Sequence, residues 1–181
     1  MKHGSFTALG VFLLALSIAS LASAQNFQFQ LNGIEISPGT TSKSCSPGGG
    51  GTYTTTGITF AGSARGDDQG TWVVSLDATG ALDNNCEPVR CSSPVTVTGG
   101  TWLLKILLGT VGGPITGGTL DYRPDGPVVG QCLGPVDGDL FIGVDVALGR
   151  FRRVHNAQMD KIKLDHGTFP PRVEAELTLA P

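Results

Sequence analysis

Charge is scarce in this chain. Only 15% of its 181 residues are Asp, Glu, Lys or Arg, and 12 basic against 15 acidic side chains leave a net charge of -3. Gripping a phosphate backbone takes clustered Lys and Arg, so no nucleic-acid partner is expected. Aromatic residues are also few, at 7%, and beyond Trp72 and Trp102 there is no obvious platform for stacking on bases or sugars. Glu, Lys and Met, which favour helices, are rare beside 27 Gly and 11 Pro, and that balance excludes a helical bundle. After the N-terminal segment no apolar run approaches the roughly 18 residues of a spanning helix, so no transmembrane segment is expected in the mature chain.

What is present at the N-terminus is an address. Lys2 and His3 precede an apolar stretch through Val11, Phe12, Leu13, Leu14 and Leu16, which ends in Ala22-Ser23-Ala24. Residues 1–24 therefore read as a signal peptide cleaved before Gln25, and the chain as secreted, extracellular or periplasmic. In an oxidising compartment the even set Cys45, Cys86, Cys91 and Cys132 is expected to form two disulfides. The Cys86 to Cys91 spacing is wider than a zinc knuckle and no His lies close to either in sequence, which disfavours zinc. Pairing Cys45 with Cys86 and Cys91 with Cys132 gives about 8 kcal/mol by loop entropy, and Cys86–Cys91 with Cys45–Cys132 about 7 kcal/mol. The pairing stays open.

The mature chain reads as all-β in a single domain, with an N-terminal strand or hairpin and a Gly-rich loop over residues 25–51, then a core over residues 52–181. Phe27, Phe29 and Leu31 alternate, followed by Ile34 and Ile36 around Asn32-Gly33, the pattern of a half-buried strand or hairpin. Thr40 to Gly51 reads as loop, because Pro47 and four successive glycines hold regular structure poorly. Strands are then expected over about 52–61, 70–78, 94–98, 100–108, 117–123, 138–149, 153–165 and 172–180. Their spacing predicts a disulfide-stabilised antiparallel β-sandwich of about eight or nine strands, with a closed β-barrel as the alternative. Ala157 and Met159 alternate out of phase with Ile162 and Leu164, a slip that a β-bulge would absorb, with a short helix as the alternative. A shift of 46 residues superposes Cys45-Ser46 on Cys91-Ser92 and Cys86 on Cys132, a faint sign of a duplicated hairpin.

Candidate chemistry is thin. Asp165-His166 pairs a carboxylate with an imidazole, but neighbours on a strand point to opposite faces, so the pair reads as a strand end; His155 is the other imidazole of the mature chain. Asp67-Asp68, Asp77, Asp83, Asp121, Asp125 and Asp145 are scattered without a catalytic spacing. Asp137-Gly138-Asp139 has hard oxygen ligands for calcium, yet lacks the further acid of a calcium loop and is explained by turn chemistry. Gly109 to Gly118 lacks the Lys-Ser or Lys-Thr of a phosphate loop and reads as a flexible hairpin connection. Arg65-Gly66-Asp67 matches the tripeptide of cell-adhesion ligands, at a predicted hairpin tip. Arg150, Arg152, Arg153, Lys161 and Lys163 form the one basic stretch, read as protection of an edge strand. Trp72 and Trp102 read as core.

No catalytic residue, metal ligand or cofactor is therefore assigned. The chain reads as a secreted non-enzymatic binding or structural module whose partner the sequence does not specify. The alternatives are a barrel carrying a small apolar ligand, lined by Leu103, Leu104, Ile106, Leu107 and Leu108, and a hydrolase built on Asp and His166.

Overall fold

Alternating side chains build nine strands: β1 (Phe27–Cys45), β2 (Gly51–Gly66), β3 (Gln69–Leu82), β4 (Val95–Ile106), β5 (Gly109–Tyr122), β6 (Val136–Ile142), β7 (Val146–Gly149), β8 (Asn156–Asp165) and β9 (Arg172–Ala180). They come from a computed structural model that describes residues 26–88, 95–122, 136–165, 168 and 170–181, with only the backbone at residues 121, 122, 136 and 137. The expected signal segment, Cys91, Asp125, Cys132 and His166 lie outside the described residues.

Every pairing is antiparallel, and the order runs β1 through β6, then β8 and β9, with β9 returning to pair with β1. Eight strands thus close into a meandering barrel, and β7 adds to β5 alone at Gly109 to Gly112. Of the two expected architectures the barrel is the one formed. Pairing of the first strand with the last leaves no two separate sheets to make a sandwich.

The interior follows the period of two. Phe29 and Leu31 on β1, Trp72, Val74 and Leu76 on β3, Trp102, Leu104 and Ile106 on β4, and Val173, Ala175, Leu177 and Leu179 on β9 all point inward and are buried. Each indole N–H is satisfied: Trp72 Nε1 donates to the carbonyls of Asn32 and Ser63 at 3.2 and 3.1 Å, and Trp102 Nε1 to that of Gly143 at 2.8 Å. On β8 a bulge between Asp160 and Lys163 resets the phase, with Lys161 at φ 51°, so Met159, Ile162 and Leu164 all reach the core. The expected bulge, not a helix, is what forms.

One end of the barrel is closed. The chain between β7 and β8 turns under the strands, held by Arg150 N–H to Leu108 O and His155 N–H to Ala180 O, and inserts Phe151 and Val154 as a buried floor.

Several elements differ from the sequence reading. β1 runs unbroken to Cys45 through much of the expected 40–51 loop, because β2 pairs with it as far as Cys45↔Gly51. The two strands expected over 94–98 and 100–108 are one strand, β4, from Val95 to Ile106, whose register on β3 slips at Thr98, between Val97↔Ala78 and Gly99↔Asp77. Residues 138–149 split into β6 and β7. Leu104 and Ile106 face inward, but Leu103 faces out and Leu107 and Leu108 form the β4–β5 turn, with Leu107 92% exposed; continuous apolarity here is not continuous burial.

Candidate functional site

The opposite end of the barrel is built differently. Pairing of β9 with β1 stops at Ile34↔Arg172, while β1, β2 and β3 continue together to Cys45, Gly51 and Leu82. These three strands form a lip beyond the ring. The Cys45–Cys86 disulfide, one of the bridges considered above, fastens its tip, with Cα atoms 5.8 Å apart. Asp83 shapes the turn that carries Cys86. Its Oδ1 accepts the Asn85 and Glu87 N–H groups at 2.8 and 2.9 Å, and the Glu87 N–H first, then that of Asn85, holds its carboxyl below the usual range. Lys43 closes the same corner, reaching the Glu87 carboxylate at 2.9 Å and the Cys86 carbonyl at 3.2 Å.

Between this lip and the ring lies a recess of about 190 Å³. Ile58, Phe60, Leu76, Ala78, Leu120 and Leu164 give it an apolar floor, and Glu35, Thr41, Tyr53 and Thr55 a polar side. Thr55, buried, shares a hydrogen bond of 2.9 Å with Thr41. The Tyr53 ring lies over Gly80, where any Cβ would fall 2.5 Å from it, and burial pushes its phenol above the ordinary value, so it stays neutral at physiological pH. Glu35 continues the inward phase of Phe29, Leu31 and Gly33, and among the described residues no hydrogen bond or ion pair reaches its carboxylate.

Deeper along the axis a hollow of about 30 Å³ is lined by side chains such as Trp72, Val74, Met159 and Ile162. It has room for a water but offers no polar partner to hold one. The centre of the barrel is packed core, and along the axis the described residues leave the larger space at the lipped end. A second hollow, about 580 Å³, lies on the wall where β6 and β8 part beyond Leu140↔Met159, with Asp139, Gln158 and Asp160 beside a Phe141 that is 67% exposed.

The residues singled out in the sequence do not converge. His155 is exposed beside the floor and Asp165 ends β8 at the lipped side. Gly138 and Asp139 lie within β6, not in a turn; Gly138 is needed because a Cβ there would strike Thr119 O and Leu120 of β5. Among the described residues no group of three His, Cys, Asp or Glu could hold a metal ion. Gly109 to Gly118 is strand β5 instead of a flexible connection, its glycines admitting the close backbones of β4 and the β6–β7 link. In Arg65-Gly66-Asp67 the acid is tied to the start of β1, its Oδ2 accepting the Gln28 N–H at 2.8 Å. The basic stretch protects no edge, since β8 is paired on both sides: Arg150 stacks on Phe27 and bonds Asp68, and Lys161 bonds Glu176.

Glu35, Tyr53, Thr41 and Thr55 escaped the sequence reading. The signal for Glu35 was its spacing of two from Phe29, Leu31 and Gly33, obscured by Ile34 and Ile36, which are 42% and 59% exposed. Compared with known protein families, curated proteins and solved structures, the chain matches none.

Proposed function

We propose that this chain is a non-catalytic binding protein that takes one small, largely apolar molecule into the lipped end of the barrel, and that it works outside the cytoplasm. The recess carries the reading: about 190 Å³ with an apolar floor and a few polar groups on one side, the composition of a small-molecule site. Its size is the right order, since an apolar cavity of roughly 150 Å³ admits benzene. The Cys45–Cys86 bond supports both the preformed lip and an oxidising compartment.

The test uses 2-phenylethanol, a neutral ring with a short polar tail, titrated calorimetrically into the oxidised protein and into an Ile58→Trp variant whose added ring would fill the recess. Saturable one-to-one binding by the wild type, lost in a variant that keeps its near-ultraviolet circular dichroism, is the expected result. No saturable binding by the wild type, or equal binding by the folded variant, would remove the recess as the site.

A further inference from the structure

Among the described residues that line the recess, Glu35 is the one that carries a charge. It stands at the upper end of the inward face of β1, where the apolar floor begins, and no described side chain neutralises it. The nearest lysine in the lip is committed elsewhere, since Lys43 is bonded to Glu87 and to the Cys86 carbonyl. Glu35 is half-buried, with its carboxylate at the margin of an apolar floor and without a described partner, and a bound cation is the group that such a charge attracts. The other polar groups agree with this. Tyr53 is neutral, so its ring offers a π face and its hydroxyl an acceptor, while Thr41 and Thr55 already share a hydrogen bond. An anionic ligand would instead meet the Glu35 charge across a low-dielectric floor.

Resting on the binding function proposed above, we infer that the recess selects a small organic cation: a primary ammonium group placed on Glu35, attached to a body of about one aromatic ring seated on Phe60 and Leu76. The recess volume of about 190 Å³ limits that body, and the charge of Glu35 sets the head group. Charge-assisted hydrogen bonds are about twice as strong as neutral ones, so the ammonium should discriminate strongly against an uncharged head of the same size.

The experiment compares three probes of matched shape at neutral pH, 2-phenylethylamine, 2-phenylethanol and 3-phenylpropionate, by calorimetry on the full oxidised protein and on Glu35→Gln. The amine is expected to bind the wild type about tenfold or more tightly than the alcohol, with the carboxylate weakest. In Glu35→Gln the amine should lose its advantage and fall to about the affinity of the alcohol for the same variant. Equal affinity of amine and alcohol for the wild type would overturn the cation selectivity and leave the binding function standing. A preference for the amine that survives in Glu35→Gln would overturn the role of Glu35. Failure of all three probes to bind would overturn both the selectivity and the function beneath it.

Discussion

The Phe151 ring stands edge-on to that of Phe27, with centroids 5.2 Å apart and planes at 84°. Phe29 meets Phe151 in the same manner at 6.1 Å, and the Arg150 guanidinium lies over the Phe27 ring at 5.1 Å. Phe151 is fully buried, so it is the closure of the barrel and not a surface turn residue. Phe151→Ala is expected to cost about 3–5 kcal/mol, read as a lower urea midpoint. Arg150→Ala, which removes a partly exposed ion pair and a cation–π contact, should cost about 1 kcal/mol. Equal effects of the two would mean that the ring does not plug the core.

Two glycines give opposite expectations. A Cβ at Gly33 would fall 2.5 Å from the Ala61 carbonyl and 2.7 Å from the Trp72 ring, whereas Gly48 has open space. Gly33→Ala should therefore destabilise by about 1–3 kcal/mol through overpacking, and should shift the Trp fluorescence. Gly48→Ala should leave both stability and fluorescence unchanged within about 0.5 kcal/mol. Thermal unfolding of the two variants side by side checks the contrast.

The Cys45–Cys86 bridge spans 41 residues, for which loop entropy gives about 4 kcal/mol. A Cys45→Ser/Cys86→Ser double variant should lose stability of that order in denaturant titration. The remaining cysteines, Cys91 and Cys132, are then expected to pair with each other. Peptide mapping without reduction should recover them linked, and recovery of either as a free thiol contradicts the second bridge.

Acid should loosen the lip before neutral or alkaline pH does. The Asp83 carboxyl sits below its ordinary value of 3.8 in the folded chain, so its contribution is present above that value and is lost as the pH falls through the lower folded one. Glu176, lowered by its hydrogen bond to Lys161, acts in the same window. The urea midpoint should drop between pH 5 and pH 2, and Asp83→Asn should remove part of that dependence while lowering the midpoint at pH 7. An Asp83→Asn curve parallel to the wild type over this range contradicts the assignment.

Local periodicity made some of this structure legible. β9 was readable because Val173, Ala175, Leu177 and Leu179 alternate without interruption, and the β8 bulge because Met159 and Ile162 break the phase by one residue. Closure was not readable, since the pairing of Phe27 with Leu179 is a long-range event with no local mark. The outer end of β1, from Thr40 to Cys45, looked like loop because it runs into Pro47 and four successive glycines; the hydrogen bonds from β2 override that propensity. The recess was hidden for a related reason. Its polar residues are placed by register between β1 and β2, and register is set by partners, not by composition.

The barrel's seam has a consequence for how the chain comes to be folded. The other neighbours in the ring are consecutive strands, save β6 and β8 with β7 between them, and can pair soon after they exist, but β1 must wait for β9. Until that final strand arrives, one edge of β1 carries unpaired amides beside Phe29 and Leu31, a sticky margin prone to capture by other chains. The rate of ring closure, and with it the yield of native protein, should therefore hinge on the C-terminal residues Arg172 to Ala180.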